Sequence, residues 1–174
     1  MKLSAHLNDQ KLFRYNAPSR REKDVPAEVL KYSHFVPSSD KQSSHFGIPM
    51  PVDRFKLFKV VVSTCISASV SDAIGIPRGH FTHIFIDEAG QATEPESLVS
   101  IKTLADAKTN IVLTGDPKQL GPVIQSRIAG QLGLQISYLE RLMEREAYNV
   151  ENHNGVTYVY LFSCAASLPD FYVT

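Results

Sequence analysis

The stretch HIFIDEAGQATEPESL, residues 83–98, joins an apolar run directly to two adjacent acids, Asp87 and Glu88. The run is short and apolar, which predicts a buried strand over residues 81–86. Ligands of open parallel α/β sheets bind beyond the carboxyl ends of the strands, so the two acids stand where a ligand is expected. Two hypotheses remain for them. Either they hold a metal ion and polarise a water, or they only cap the helix after them.

The stretch IVLTGDPKQLGPV, residues 111–123, repeats this design. A third apolar segment, residues 110–115, ends at Gly115 and is followed by Asp116 and Gln119. Glycine allows the tight turn that such an end requires. An amide at Gln119 can contact a γ-phosphate or orient a water, whereas the alternative for Asp116 is a turn or cap residue.

The wider pattern predicts an α/β fold. Residues 59–64 read as another buried strand, and residues 94–108 read as a helix with Leu98, Ile101 and Leu104 on one face. Continuous apolar strands separated by a helix are typical of a parallel sheet covered on both faces. The segment SYLERLMERE has Ser137 and Glu140 in the spacing of a capping box, which predicts a further helix.

The amino-acid composition excludes several functional classes of protein. The 174 residues carry no formal net charge, so a strongly basic nucleic-acid binder is not indicated, although a local RNA channel is still compatible with this balance. Two cysteines exclude a disulfide scaffold or a zinc cluster and favour a reducing, intracellular location. No signal peptide is evident, and no apolar run reaches the ~20 residues of a membrane span. Membrane association is therefore not expected.

The local amino-acid composition divides the chain into three regions. Residues 1–58 form an N-terminal part with a helix over 1–15 and a Ser/Pro-rich loop over 33–53. Residues 59–157 contain the predicted sheet and both acidic strand ends. Residues 158–174 form an apolar, aromatic tail without Lys or Arg. We expect this tail to be an artefact of the gene model.

DEAGQATEPESL and GDPKQLGPVIQSR resemble motifs II and III of superfamily-one RNA helicases. GHFTHIFIDEAGQATEPE and GLQISYLERLMERE resemble the Upf-like branch, in the Moloney-leukaemia-virus-ten/Armitage group that includes the plant silencing-defective helicases. The resemblance spans roughly residues 16–157. It implies an incomplete RecA-like P-loop NTPase domain of an ATP-dependent RNA helicase. RNA silencing or turnover in the cytoplasm or in ribonucleoprotein granules, with Argonaute-type partners, is implied by the same resemblance.

The resemblance also implies roles for single residues. Asp87 would bind Mg²⁺, Glu88 would be the catalytic base for ATP hydrolysis, and Gln119 would sense the γ-phosphate. The glycine and acid that precede Gln119 would link this sensor to the RNA. The implied nucleotide-site residues are Asp87, Glu88, Gln91, Gly115, Asp116 and Gln119.

Two segments are implied to contact RNA. VVVSTCISAS matches a segment that touches the nucleic-acid backbone, with Ser63 and Thr64 as phosphate donors. NAPSRR precedes it, and Arg20 and Arg21 would reach phosphate. A solvated charge pair is the alternative for these two arginines.

The sequence departs from the family pattern in two ways. None of its glycines is followed by lysine, so the phosphate-binding G-x-x-x-x-G-K-[ST] loop is not among the 174 residues. The arginine-bearing second motor domain and the basic segment that would lead to it are also not recognisable. We expect part of one motor domain, truncated in the gene model and inactive alone. The alternatives are a DNA helicase or helicase–nuclease of the same superfamily, and a non-catalytic RNA-binding remnant.

Overall fold

The computed structural model describes residues 9–37, 44–48, 51–116, 120–145 and 148. The strands are β1 (Leu12–Arg14), β2 (His34–Pro37), β3 (Ser44–Gly47), β4 (Val60–Val62), β5 (His83–Ile86) and β6 (Asn110–Leu113). The α-helices are α1 (Ala27–Leu30), α2 (Val52–Phe55), α3 (Cys65–Ala68), α4 (Val70–Ala73), α5 (Glu94–Leu104), α6 (Arg127–Ala129) and α7 (Tyr138–Met143). None of the helices in these ranges has the length and apolar character needed to cross a membrane.

The strands pair in three ladders, two of them parallel. β5 pairs with β6 in parallel, with Ile86 opposite Leu113, and β1 pairs with β4 in parallel. β2 and β3 form an antiparallel hairpin. The predicted parallel α/β class is therefore confirmed, and the two strands that lead to Asp87 and to Asp116 are direct neighbours.

The N-terminal part differs from the prediction. Residues 1–8 lie outside the described range, but residues 12–14 form strand β1 rather than helix, because Leu12 and Phe13 are buried where β1 meets β4. The predicted loop over residues 33–53 contains the β2–β3 hairpin in its described part. Its Phe35 and Phe46 rings lie 4.7 Å apart across the two strands, an aromatic pair of the kind that stabilises hairpins.

One face of the β5–β6 pair carries the core beneath the site. Ile84 and Ile86 are buried with Leu104 and Ala105, and half-buried residues of α3, α5 and α7 pack against them. On the opposite face Phe85 is 54% exposed. The prediction of a sheet covered on both faces therefore does not hold at Phe85 in the described part of the chain. It does hold for the β1–β4 pair, where the successive residues Leu12 and Phe13 are buried in two different clusters.

Helix α5 begins at a complete capping box. The Thr93 hydroxyl accepts the Glu96 N–H, and the Glu96 carboxylate accepts the Thr93 N–H at 2.8 Å. The buried residues of this helix are Ser97, Ser100 and Leu104. The predicted apolar face contained Leu98 and Ile101 in place of the two serines. Small serines allow α3 to pack closely against α5, and the Ser100 hydroxyl donates to the Ser97 carbonyl.

Helix α7 packs against the same helix. The Ser137 hydroxyl accepts the Glu140 N–H at its first turn, as predicted. Arg141 donates to Glu94 at 2.7 Å, and Ser137 bridges to Thr93 through the backbone. The segment after motif III therefore returns to the start of α5. The atypical tail, residues 158–174, lies outside the described range.

We predict that Thr93→Ala lowers the free energy of unfolding by about 1 kcal/mol, because it removes the hydroxyl of the box. Thr103→Ala is the matched control, since the Thr103 hydroxyl donates only to the Val99 and Ser100 carbonyls within the same helix. Urea unfolding of both variants measures the difference. Equal losses for the two threonines would contradict a specific role of the cap.

Candidate functional site

Asp87 is the first residue after β5, and its carboxylate is held from the neighbouring strand. The hydroxyl of Thr114, the first residue after β6, donates to Asp87 Oδ1 at 2.5 Å. The N–H of Glu88 donates to the same oxygen at 3.0 Å. No donor within the described ranges is found at Asp87 Oδ2, so this oxygen is the one left for a ligand.

Glu88 has a different environment from its neighbour. Its backbone has φ of 52°, and it is the one described non-glycine residue with positive φ. Residues in this sparsely populated region cluster at functional sites. The Gln91 amide donates to Glu88 Oε2 at 3.3 Å, and the Gln91 N–H donates to the Glu88 carbonyl at 2.8 Å. The turn therefore directs the Glu88 side chain towards Gln91.

Gly115 follows Thr114 and has φ of +148°. A Cβ at this position would lie 3.0 Å from the Ala89 backbone nitrogen and 3.1 Å from the Gly90 nitrogen. Only glycine therefore lets the end of β6 approach the turn after Glu88 this closely. Asp116 comes next and is exposed, whereas Gln119 lies outside the described residues.

A pocket of about 260 Å³ opens beside Glu88. It is lined by Thr64, Cys65, Ile66, Glu88, Gln91, Ala92 and Glu96. The start of α3, predicted to contact RNA, therefore shares one pocket with the predicted catalytic acid. Burial raises the pKa of the Cys65 thiol, which keeps it neutral and unreactive near pH 7. Cys65 is half-buried between this pocket and the core.

The hydroxyls predicted to bind RNA already have partners in the chain. Thr64 caps α3 by accepting the Ser67 N–H, and Ser63 donates to the Thr64 carbonyl at 3.1 Å. Arg21 pairs with Asp24 at 2.8 Å in an exposed ion pair. Arg20 donates to the Asp24 carbonyl at 3.3 Å. The alternative of a solvated charge pair is thus the better description of Arg21.

The oxygen ligands suit a hard cation. The structure holds no group of three or more His, Cys, Asp or Glu that could enclose a metal within the described residues. Mg²⁺ commonly takes only one or two carboxylates and completes its shell with water and phosphate oxygens. One free carboxylate oxygen at Asp87, next to an exposed Glu88, fits that requirement.

Two features of the site were not predicted from the sequence. The hydroxyl of Thr114 lies at the predicted strand end, and its contact depends on the β5–β6 register. Glu96 and Ala92 line the pocket because the turn after Glu88 folds back before α5 begins. The contact of Thr114 could have been suggested by the sequence, because a residue with a hydroxyl group directly precedes the Gly115–Asp116 pair.

The fold and the site together define a P-loop-NTPase-like α/β domain, incomplete in its nucleotide site. Residues 51–127 match the family model described as "AAA domain". The chain is 54% identical to the human protein named "RNA helicase Mov10l1" over 52% of its own length and 8% of that protein. It is 41% identical to the zebrafish "Putative helicase mov-10-B.1" over 83% of its length and 14% of that protein.

The fruit-fly protein named "Probable RNA helicase armi" is 48% identical over 52% of this chain and 8% of the relative. Over the matched residues the chain is therefore similar to the Upf-like superfamily-one RNA helicases of the Moloney-leukaemia-virus-ten/Armitage group, as its motifs suggested. It covers between 8% and 14% of the length of these three relatives.

We predict that Gly115→Ala destabilises the fold by more than ~1 kcal/mol, because the added Cβ meets backbone atoms and the φ disfavours alanine. Gly130→Ala is the control. Gly130 has φ of −60°, and its new Cβ would meet only a side-chain oxygen of Gln135 at 3.4 Å. Urea unfolding should show little loss for this second variant. A Gly115→Ala chain as stable as the original would contradict the close approach.

Proposed function

We propose that this chain supplies the metal-binding and water-activating part of the ATP site of an ATP-dependent RNA helicase. The main support for this proposal is that Asp87 and Glu88 lie at the end of β5, beside the end of β6. The two carboxylates have separate partners, Thr114 and Gln91, which supports separate tasks. A bound Mg²⁺ would neutralise charge on the phosphates during hydrolysis.

Asp87 is proposed to hold that Mg²⁺ through Oδ2. The other oxygen already accepts two hydrogen bonds, so the carboxylate is oriented before any ligand arrives. Such preorganisation favours a site in which the metal needs only one protein oxygen and several waters or phosphate oxygens.

Glu88 is proposed to act as the general base that takes a proton from the attacking water. Its carboxylate lies at the pocket edge and is exposed, so a water can reach it. Gln91 donates to one of its oxygens and leaves the other for the water.

Gln119 is proposed to sense the γ-phosphate, with Gly115 and Asp116 linking it to the RNA. The close packing of Gly115 on the backbone of Ala89 and Gly90 supports such a link, because movement of one turn displaces the other. Gln119 itself enters this proposal through its motif, since it lies outside the described residues.

RNA is the proposed polymer, and Ser63 and Thr64 are its proposed contacts. Thr64 lies on the pocket that also contains Glu88, which would place nucleic acid near the hydrolytic residue. Arg20 is a further proposed phosphate contact. Arg21 could bind phosphate only if its ion pair with Asp24 were broken. A cytoplasmic role in RNA silencing or turnover, with Argonaute-type partners, is proposed from the family resemblance of the motifs alone.

A second function has one observation in its favour. The phosphate-binding G-x-x-x-x-G-K-[ST] motif does not occur in the 174 residues, which favours a non-catalytic RNA-binding role for this chain taken by itself. Placing residues 51–127 of this chain in a relative that hydrolyses ATP distinguishes the two functions, because a segment with only an RNA-binding role would not support hydrolysis there.

We predict that Glu88→Gln abolishes turnover but not ATP binding in a chimera in which residues 51–127 replace the aligned segment of human RNA helicase Mov10l1. Loss of a general base lowers hydrolysis by ~10²–10⁴-fold, whereas the amide keeps the shape of the side chain. RNA-stimulated phosphate release and ATP affinity are the measurements. Asp72→Asn, an exposed carboxylate on α4, is the control. Near-normal turnover of Glu88→Gln would place the base elsewhere.

We predict that Gln119→Ala in the same chimera lowers the number of strands unwound per ATP more than it weakens ATP binding. A lost hydrogen bond to a charged phosphate changes affinity by ~1.5–3 kcal/mol, whereas coupling depends on the sensor being present. Unwinding and phosphate release are measured together. An unchanged ratio with equal losses in both rates would restrict Gln119 to the chemical step.

A further inference from the structure

Thr114 occupies a special position between the two strand ends. Its N–H donates to the Ile86 carbonyl at 2.9 Å, and its own carbonyl accepts the Ala89 N–H at 2.8 Å. Its hydroxyl donates to Asp87 Oδ1. One residue at the end of β6 therefore holds the backbone on both sides of Asp87 and Glu88 as well as the Asp87 side chain.

We propose that Thr114 is a positioning residue for the metal ligand Asp87. This inference rests on the proposed function of Asp87 and adds the group that orients it. The hydroxyl would fix Oδ1 so that Oδ2 stays turned towards the cation. Thr114 itself would touch neither the metal nor the nucleotide.

The geometry of the donors supports this role. Both Thr114 Oγ1 and the Glu88 N–H reach the same carboxylate oxygen, at 2.5 Å and 3.0 Å. A carboxylate can accept on both oxygens, so donors concentrated on one of them define its rotation about the Cβ–Cγ bond. Because threonine is β-branched and its backbone is held at both sides, the hydroxyl has little freedom to turn away.

The chemistry of metal sites supports it as well. Carboxylates that bind metals are commonly hydrogen-bonded by an outer group that orients them and tunes their affinity. Valine has a β-propensity close to that of threonine and would suit the same extended backbone directly after β6, so the hydroxyl has no necessary role in forming the strand. The polar group of Thr114 is therefore assigned to Asp87 rather than to the fold.

The test compares three variants of the complete 174-residue chain in a Mn²⁺ titration. Mn²⁺ takes the same oxygen ligands as Mg²⁺ and broadens the amide NMR signals of nearby residues, here those of Glu88 and Ala89. Thr114→Val should weaken Mn²⁺ binding about 10-fold, as expected when an outer-shell partner is lost. Thr114→Ser keeps the hydroxyl and should restore affinity to within about 3-fold of the original chain.

Asp87→Asn separates this inference from the proposed function. If Asp87→Asn abolishes the site-specific broadening while Thr114→Val leaves affinity unchanged, the metal site stands and the role of Thr114 is overturned. If the unaltered chain shows no saturable broadening, or Asp87→Asn does not change it, Asp87 is not the ligand and both proposals fail. Equal weakening by the valine and serine variants would reduce Thr114 to a packing residue and would overturn the inference too.

Discussion

The parallel register of β5 and β6 is the constraint on which the candidate site depends. With Ile86 opposite Leu113, the first residues beyond the two strands meet, and Thr114 reaches Asp87. A slip of one residue would turn the side chains of one strand to the opposite face. Burial of Ile84 and Ile86 against α5 opposes such a slip, so the hydrophobic core sets the position of the carboxylates.

The turns at the ends of the two strands define the site further. After β5 the chain takes a positive φ at Glu88 and turns into the capping box at Thr93. After β6 it needs a glycine, because the backbone of Ala89 and Gly90 leaves no room for a side chain at residue 115. Two neighbouring acids thereby acquire different partners. Two side chains of the same chemical type can then serve the two proposed tasks, one carboxylate binding a cation and the other activating a water.

Much of this arrangement was predictable from the sequence. Continuous apolar runs marked β5 and β6, and the rule for parallel sheets placed Asp87, Glu88 and Gly115 at one edge. The rest depended on contacts between distant segments. β1 is a short strand only because it pairs with β4, and the β2–β3 hairpin lies in a polar, proline-rich stretch. The buried serines of α5 were not predicted because amphipathic patterns count large apolar residues.

An anomalous difference map would show directly whether Asp87 binds the metal ion and whether Glu88 faces the nucleotide. Crystals of the chimera that carries residues 51–127 would be grown with Mn²⁺ and a non-hydrolysable ATP analogue. We predict a metal peak beside Oδ2 of Asp87, with the Glu88 carboxylate facing the terminal phosphate across one water. A metal held by other residues, with Asp87 bonded only to Thr114 and Glu88 turned away from the nucleotide, would contradict it.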